Sequence, residues 1–446
     1  MHKINGKDII AVITKGRLAK FQKKTVTPTA SVQTVKPDTG YDGLSEVEIG
    51  KYAAKYQKKT VTPKATIQTI KPDSNYDGLS EVIVNPGYEN SISAYLDKSL
   101  TKVTASDLAT VTSIGEIGLD WNKKGTFQGF EQLESVVIPE NVTLIGDSVF
   151  SQCKELVTVT LPDSLTEIGA SAFYMCHKLK NINAPASLKK IGAAALESSQ
   201  WYDDQWMLHC YDKKEDIYFG KHLYKAHPYK ETITIKNDTV GIAGKAFANA
   251  EIKSVTIPNK VTYIGDYAFS GSNLTTIVFG DNSSLKEIGQ GAFESVYNIK
   301  NITIPETVTE IGRTAFRGSG LVNVSFLGNS IESLAGTFEW CTDLETVLLP
   351  SGLKRLENGV FDQCTALTSI TIPESVVYMN PSTFLDCSNL ASVIMLPTTP
   401  PTVEWEGLFD SCSADLQITV PAGCGDIYKA ATGWSNYADK IVEATE

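Results

Sequence analysis

Apolar residues recur along most of the chain in one fixed pattern, which the segment 156–178 shows in full. Written by position, this segment reads L-x-x-V-x-L-P-x-x-L-x-x-I-G-x-x-A-F-x-x-C. The aromatic slot of the pattern returns every 22 to 25 residues, apart from one gap of 51 residues before Phe247. Such a period is typical of solenoids, whose units are each too small to bury their own apolar face. The slot is filled by Phe127, Phe150, Phe173, Leu196, Phe247, Phe269, Phe293, Phe316, Phe338, Phe361, Phe384 and Phe409.

Each letter of the pattern predicts a local structure. The V-x-L pair alternates with period two, which predicts a short strand with both apolar side chains facing inward. The proline that follows cannot extend a strand ladder, so the chain should turn there. In the Ile-Gly step, isoleucine is predicted to anchor a corner and glycine to supply a positive φ. The sequence therefore predicts a repeat solenoid of about 23-residue units, with short parallel strands about 4.8 Å apart, turns and short helices.

The repeated motif L-x-x-I-x-I-P…I-G-x-x-A-F-x-x-C resembles the leucine-rich repeats of the BspA-like bacterial surface proteins, over about residues 105–446. The segment 217–225 resembles an insertion that is common in that family. The segment 420–437 resembles the family's terminal coil and capping helix. The resemblance implies a protein that binds and adheres rather than one that catalyses a reaction, and it names no ligand.

A different repeat of 35 residues occupies the N-terminal part of the chain. The motif K-T-V-T-P…Y-D-G-L-S-E-V appears in 21–55 and again in 56–90, and its Thr/Val alternation and Asp-Gly steps predict short strands and tight turns. The two copies resemble repeats of tail-associated and other surface proteins encoded by phages and prophages of Gram-positive gut bacteria. We therefore divide the chain into a β element at 1–20, the repeats 21–55 and 56–90, an N-terminal cap at 91–130, a solenoid at 131–420 with an insertion at 197–230, and a C-terminal cap at 421–446.

Charge narrows the choice of partners. The formal net charge is −11, which argues against nucleic acid or an anionic membrane as the main partner. Residues 1–90 carry 14 Lys and Arg against 9 Asp and Glu (net +5), which leaves 26 against 42 (net −16) for the rest. This asymmetry supports separate N-terminal and C-terminal modules. No apolar run has the roughly 18 residues that suggest a membrane span.

The expected location is extracellular or on a virion surface, although the N-terminus makes a poor secretory signal. The apolar run at 9–13 is short, is bracketed by charged residues and has no small-residue cleavage site. The phage resemblance would explain the missing signal, because virion proteins assemble in the host cytoplasm and leave by lysis.

Candidate chemistry is sparse. Six of the eight cysteines stand three residues after the aromatic slot, which predicts a column of small buried side chains; a disulfide between adjacent coils is the alternative. The insertion gathers His209, Cys210, His222 and His227, but their spacing matches no zinc signature. Motifs for a nucleophile elbow, a phosphate-binding loop or a zinc protease are missing from the sequence. We therefore predict neither a metal nor a cofactor, and no enzyme; catalysis by the 197–230 insertion is the weakest alternative.

The outward faces of the predicted strands are the better candidate for a binding site. Two outward positions on each of the twelve strands carry no charged residue, although 20% of the chain is charged. A flat face of hydroxyls and amides can dock a glycan or a protein without desolvating ions. The alternative is that β-branched Thr simply suits a short strand. Candidate ligand-binding residues on this face are Thr160, Asn183, Thr234, Thr256, Thr303, Ser325 and Thr371, and those on the insertion are Trp201, Tyr202 and Trp206.

Two functions are compatible with this sequence. The first is recognition or adhesion, in which the solenoid binds a cell-surface glycan or protein, for example as a receptor-binding protein of a phage tail. The second is structural, with residues 1–90 assembling onto other virion or surface-layer proteins and the solenoid acting as a spacer.

Overall fold

The computed structural model describes residues 127–445 throughout, together with 101–103, 105 and 112–117 and the backbone of five strands nearer the N-terminus. The predicted repeats 21–55 and 56–90 and most of the predicted cap at 91–130 lie outside the described residues, apart from these strands. The five strands form two small antiparallel sheets, one of three strands and one of two. They are His2–Ile4, Lys7–Thr14, Arg17–Gln22, Gln68–Ile70 and Val82–Val84.

The chain divides into two units, and the described residues of each unit from 101 onward form a stack of coils. The first comprises Met1–Pro185 with Leu196–Tyr202, and the second comprises Ala186–Ala195 with Asp203–Glu446. A complete coil contributes a face strand, a corner strand and a turn that carries the aromatic slot, which we call the Phe turn. The first unit has the face strands Lys102–Val103, Ser135–Val137, Thr158–Thr160 and Asn181–Ile182 and the corner strands Ser113–Ile114, Leu144–Ile145 and Glu167–Ile168.

The second unit repeats this order over more coils. Its face strands are Thr232–Thr234, Ser254–Ile257, Thr276–Phe279, Asn301–Ile304, Asn323–Phe326, Thr346–Leu348, Ser369–Ile372, Ser392–Met395, Gln417–Val420 and Ile441–Glu443. Its corner strands are Lys190–Ile191, Gly241–Ile242, Tyr263–Ile264, Glu287–Ile288, Glu310–Ile311, Ser333–Ala335, Arg355–Glu357 and Tyr378–Met379. The face strands of this unit form three sheets, which span 232–279, 301–348 and 369–443. Within each sheet neighbouring strands pair in parallel, and equivalent repeat positions face each other, as Thr303 faces Ser325.

The solenoid predicted from the repeat is confirmed. Inward residues of the strand pair, such as Val136, Val159 and Ile302, are buried. The phenylalanine rings stack face to face, with centroids 5.1 and 5.4 Å apart from Phe127 to Phe173 in the first unit. In the second unit the rings from Phe247 to Phe409 stack at 4.5 to 5.7 Å. Each ring removes apolar surface from water, so the column supplies much of the core that a lone coil lacks.

The Phe turn has an unusual backbone. Apart from Ser382, the described residues two before and two after the slot have positive φ, as at Ser148 (55°) and Gln152 (62°) around Phe150. Between them, alternate N–H groups point to the next coil: the N–H of Phe150 donates to the Ala172 carbonyl at 2.8 Å. A third ladder therefore links the coils, beside the two strand ladders.

The expectation for the Ile-Gly glycines holds at Gly115, whose φ is 76°, but its mechanism is wrong at the glycines of the later coils. Gly169 and Gly265 do not adopt a positive φ. A methyl carbon at Gly265 would instead lie 2.5 Å from the backbone nitrogen of Gly244 on the preceding coil, and one at Gly169 would lie 2.5 Å from a carboxylate oxygen of Asp147. Glycine stands at this corner because the coils approach too closely for a side chain.

The cysteines form the predicted column of small side chains. All eight lie within the described residues and all are free thiols. A column thiol donates to the carbonyl of the phenylalanine one coil earlier, as Cys364 Sγ does to Phe338 O at 3.2 Å and Cys387 Sγ to Phe361 O at 3.0 Å. The position three residues after the aromatic slot therefore suits a small residue whose side chain is a weak hydrogen-bond donor.

The insertion and the C-terminal end complete the described structure. The insertion holds an α-helix, Gln200–Gln205, a π-helix, Trp206–Lys213, and a hairpin of Ile217–Phe219 and His222–Lys225. The second hairpin strand pairs in parallel with the corner strand at 241–242. After the last coil the chain forms an α-helix, Gly425–Ala430, and a 3-10 helix, Ser435–Tyr437, before its final strand.

Candidate binding surface

The outward positions of the face strands lie at the surface, as the alternation predicts. In the second unit, Thr234, Thr256, Thr303 and Thr371 are exposed and Ser325 is half-buried. We call the two outward rows between Thr232 and Thr419 of this unit the strand face. The rows comprise Thr232, Thr234, Ser254, Thr256, Thr276, Val278, Asn301, Thr303, Asn323, Ser325, Thr346, Leu348, Ser369, Thr371, Ser392, Ile394, Gln417 and Thr419.

Side chains of the strand face hold one another in place across neighbouring coils. The amide of Asn323 donates to the Asn301 amide oxygen at 2.9 Å, and the hydroxyls of Thr303 and Ser325 lie 3.1 Å apart. Such cross-strand pairs restrict rotamers before any ligand arrives, which lowers the entropy lost on binding.

Aliphatic side chains interrupt the hydroxyls of the strand face. Val278 is 48% exposed, Leu348 64% and Ile394 41%. They lie in the same row as the threonines, whose methyl groups extend the apolar area. The face therefore offers both apolar contact and hydrogen-bonding groups.

Charged residues stand at intervals along one edge of the strand face. Of the nine residues one position before the outward rows, four are charged and exposed and five are uncharged. The charged residues are Glu231, Lys253, Lys300 and Glu345, and the others are Thr275, Val322, Thr368, Ala391 and Leu416. Lys253 Nζ lies 2.6 Å from Glu231 Oε1 on the adjacent coil. An uncharged centre with a charged rim is the arrangement found at protein–protein interfaces.

The first unit contributes two of the predicted site residues, which differ in their surroundings. Thr160 is exposed on its face strand. The amide of Asn183 is exposed too, but it bonds to the backbone of the preceding coil. Asn183 Oδ1 accepts from the Leu161 N–H at 2.8 Å, and Asn183 Nδ2 donates to the Leu161 carbonyl at 2.8 Å. Because its own strand ends at Ile182, this amide continues the ladder by one residue.

The aromatic residues predicted on the insertion are half-buried. The backbone N–H of Trp201 donates to the Leu179 carbonyl at 2.7 Å, and that of Tyr202 donates to the Ser199 hydroxyl at 3.1 Å. Trp206 opens the π-helix, which also presents the exposed side chains of Met207, Leu208 and Tyr211, the last 72% exposed.

The histidines and the cysteine of the insertion each have a hydrogen-bond partner within the chain. His209 Nδ1 lies 3.2 Å from Glu215 Oε2, and the Cys210 thiol donates to the Glu215 carbonyl at 3.4 Å. His227 Nδ1 accepts from the Tyr229 N–H at 3.3 Å. Within the described residues, no three His, Cys, Asp or Glu side chains gather as a metal site would need.

His222 belongs to a buried hydrogen-bonded group inside the second unit. Its Nε2 lies 3.0 Å from the Leu188 carbonyl, and burial lowers its pKa. The hydroxyl of Tyr263 lies 3.5 Å from its Nδ1 and accepts from the Ile191 N–H at 2.6 Å. Gly241 leaves room for both side chains, because a methyl carbon there would overlap the Tyr263 ring. This group fixes the hairpin to the neighbouring coils.

The Phe turns of the second unit carry a row of charged residues that sequence analysis missed. Directly after the aromatic slot stand Glu294, Arg317, Glu339 and Asp362. Arg317 Nη1 lies 3.3 Å from Glu294 Oε1, and its Nε lies 3.3 Å from Glu339 Oε2. Burial, and then Glu339 and Asp386, raise the pKa of Asp362 to about 6. Aligning the residues after each slot would have shown this row.

These features define a leucine-rich repeat solenoid whose outer surfaces carry the candidate site. The family model of the BspA type leucine rich repeat region matches residues 122–204, 218–336 and 327–436. The chain therefore belongs to the BspA-type leucine-rich repeat family. In the part of the chain that the structure describes, no helix has the length and apolar character needed to cross a membrane.

Several solved structures are similar to this chain. A leucine-rich repeat protein from Bacteroides ovatus shares 20% identity over 85% of this chain and 98% of its own, with a TM-score of 0.32. A leucine-rich cell surface protein from Faecalibacterium prausnitzii shares 18% identity over 84% and 98%, with a TM-score of 0.28. The pneumococcal vaccine antigen PcpA shares 16% over 85% and 97%, with a TM-score of 0.30. A comparison with curated proteins gives no match.

Proposed function

We propose that this chain is a non-enzymatic surface protein that recognises a glycan or protein of a cell surface through its strand face. BspA-type leucine-rich repeat proteins are surface and adhesion proteins, which supports the general class. The observation that carries the specific proposal is that none of the strand-face residues is charged, while four charged residues stand along its edge. Docking there desolvates hydroxyls, amides and methyl groups, and it leaves the ions of the rim in water.

Two carboxylates on the strand face should weaken this recognition. Thr303→Asp combined with Thr371→Asp would place two carboxylates where a partner docks, and burying an unpaired carboxylate is costly. Labelled full-length protein would be applied to candidate host cells, and its binding would be measured by flow cytometry. We expect a loss of at least about tenfold in affinity, since such a loss corresponds to only about 1.4 kcal/mol.

A matched control adds the same charge elsewhere in the same unit. Thr262 and Thr309 are exposed and precede the corner strands Tyr263–Ile264 and Glu310–Ile311, so the variant with Thr262→Asp and Thr309→Asp leaves the strand face unchanged. We expect this variant to bind as the unaltered protein does. Equal binding by all the variants would reject the strand face as the docking surface.

The duplicated segments 21–55 and 56–90 favour a second function, which is structural. In that case these repeats attach the chain to other virion or surface-layer proteins, in the setting of a phage tail or of a cell surface, and the solenoid is a spacer. Sedimentation of the full-length chain tests this idea. A stable oligomer that binds no candidate host cell would favour the structural function over recognition.

A further inference from the structure

Trp340 is an unexpected residue at its position in the second unit. It stands two residues after Phe338, where the backbone adopts a positive φ of 64°. Equivalent positions in the same unit hold small or polar residues, such as Asn249, Gly271, Ser295 and Gln363. A bulky side chain in this conformation is uncommon and costs on the order of 1–3 kcal/mol. The ring is 48% exposed, so burial in the core does not explain its presence.

Arg317 on the preceding coil orients the indole of Trp340. Its guanidinium carbon lies 5.2 Å from the centre of the Trp340 ring, which is the geometry of a cation–π contact. Glu294 and Glu339 hold the guanidinium from either side, each at 3.3 Å. The exposed aromatic surface is therefore positioned in advance, which lowers the entropy lost when a ligand binds.

The following coils place hydrogen-bonding side chains in line with Trp340. The Trp340 N–H donates to the Asp362 carbonyl at 2.8 Å, and the Gln363 N–H donates to the Leu385 carbonyl at 2.8 Å. Gln363 and Asp386 occupy the equivalent positions one and two coils further on. Because stacked strands lie about 4.8 Å apart, the amide and the carboxylate follow the indole at intervals of about 5 Å.

We propose that Trp340, Gln363 and Asp386 form a site for a neutral or amino-bearing oligosaccharide. One face of a hexopyranose ring presents C–H groups, which pack against an exposed aromatic ring, while its hydroxyls need hydrogen-bonding partners nearby. The indole would take the ring face, and the amide and the carboxylate would bond hydroxyls of the same or the next sugar.

The charge around Trp340 selects among sugars. Glu339, Asp362, Asp386 and Asp410 lie on this and the next coils, and the Arg317 guanidinium is already engaged by two carboxylates. This field repels sialic and uronic acids and tolerates neutral or amino sugars. The site lies on the Phe turns and not on the strand face, so it is independent of the docking proposed above.

An oligosaccharide array with the full-length chain tests the proposal. The array would carry neutral, N-acetylated and sialylated hexose oligomers, and each bound oligomer would then be titrated in solution. We expect binding to neutral or amino-bearing oligomers, with Trp340→Ala at least about tenfold weaker and Trp340→Phe intermediate. Trp405→Ala is the matched control, since Trp405 is 57% exposed in the same unit and should be dispensable.

Three results would overturn the site: no oligomer bound, a preference for sialylated oligomers, or equal affinity for the Trp340→Ala protein. Cell binding that is lost in Trp340→Ala but not competed by any oligomer would mean a protein partner and would also reject the glycan. Should Trp340→Ala fail to fold, Trp340→Phe and Asp386→Asn are used in its place. The variant with Thr303→Asp and Thr371→Asp should keep its oligosaccharide affinity. The Trp340 site and the strand face can therefore be tested independently of each other.

Discussion

The hydroxyl of Tyr437 accepts a hydrogen bond from the backbone N–H of Phe409 at 3.1 Å. In the preceding coils of the second unit, the N–H of the slot phenylalanine donates to a carbonyl of the next coil, as Phe361 does to Thr383 at 2.9 Å. Phe409 belongs to the last such coil, and Tyr437 replaces the missing carbonyl. The tyrosine hydroxyl in turn lies 3.1 Å from Asp410 Oδ1.

Replacing this cap should loosen the C-terminal end of the second unit. Tyr437→Phe leaves the Phe409 N–H buried without a partner, which costs about 1–3 kcal/mol. We expect faster hydrogen exchange at the Phe409 amide and a lower urea midpoint. Tyr229→Phe serves as the control, because Tyr229 is 72% exposed. Unchanged exchange at Phe409 would show that water or another group satisfies this donor.

The aromatic column should be sensitive to side-chain volume. Phe316 is fully buried between Phe293 and Phe338, with centroid distances of 5.1 and 5.6 Å. We expect Phe316→Ala to destabilise the protein by about 3–5 kcal/mol through lost burial and a cavity. Phe316→Leu should cost much less, since Leu196 fills the same slot in a fully buried state. Urea unfolding followed by circular dichroism measures both, and equal losses would contradict the packing argument.

The buried thiols should resist alkylation. Burial raises the pKa of Cys341 to about 11 and raises that of Cys364 as well. A thiol with a pKa of about 11 instead of 9.0 has about 100-fold less thiolate, which is the reactive form. Brief alkylation at pH 8, read by mass spectrometry, should therefore label these residues on the order of 100-fold more slowly in native than in urea-unfolded protein. Half-buried Cys424 is the internal reference. Native labelling at the unfolded rate would exclude a stable cysteine column.

Ionisation of Asp362 should lower stability above about pH 6. Burial comes first among the causes that raise its pKa from 3.8 to about 6, and Glu339 and Asp386 add to it. Because its pKa is raised, Asp362 binds its proton more tightly in the folded state than in the unfolded state. The stability that this protonation contributes is therefore complete below pH 3.8 and is lost as the pH rises through about 6.

Asp362→Asn removes this dependence. We expect the variant to match the unaltered protein near pH 4 and to be more stable at pH 7.5, by less than about 1 kcal/mol because solvent screens the group. Unfolding free energies at the two pH values give the comparison, with the exposed residue Asp163 changed to Asn as the control. A variant that is less stable at pH 7.5 would contradict the predicted sign.

The sequence predicted the features that depend on side-chain type at a fixed period. The aromatic slot and the inward positions of the strand pair need apolar side chains in each coil. The Phe column and the inward strand residues could therefore be predicted from the sequence. The positive φ around each slot was not predicted, because Ser148, Gln152 and Trp340 share a backbone conformation and no side-chain type. The glycine of the Ile-Gly step was given the wrong reason, because close approach between coils cannot be seen within one repeat.

The candidate site was predictable only in part. Alternation placed Thr303 and Thr371 outward, and the structure places them at the surface. The bonds of Asn183 to Leu161 depend on where one strand ends, which the repeat does not encode. Whether these residues bind a ligand stays a prediction. Trp340 and Arg317 come together only when neighbouring coils are superposed, and the pattern treats both positions as variable.

The one-way ladder of the Phe turns gives each stack a polarity. Because the linking N–H groups all point toward later coils, their peptide dipoles add along the stack, as they do in a helix. At the late end of the second unit, the Phe409 donor is met by the Tyr437 hydroxyl. A further coil could therefore join there only by displacing Tyr437 and presenting a carbonyl to Phe409, and two such late ends could not pair with each other.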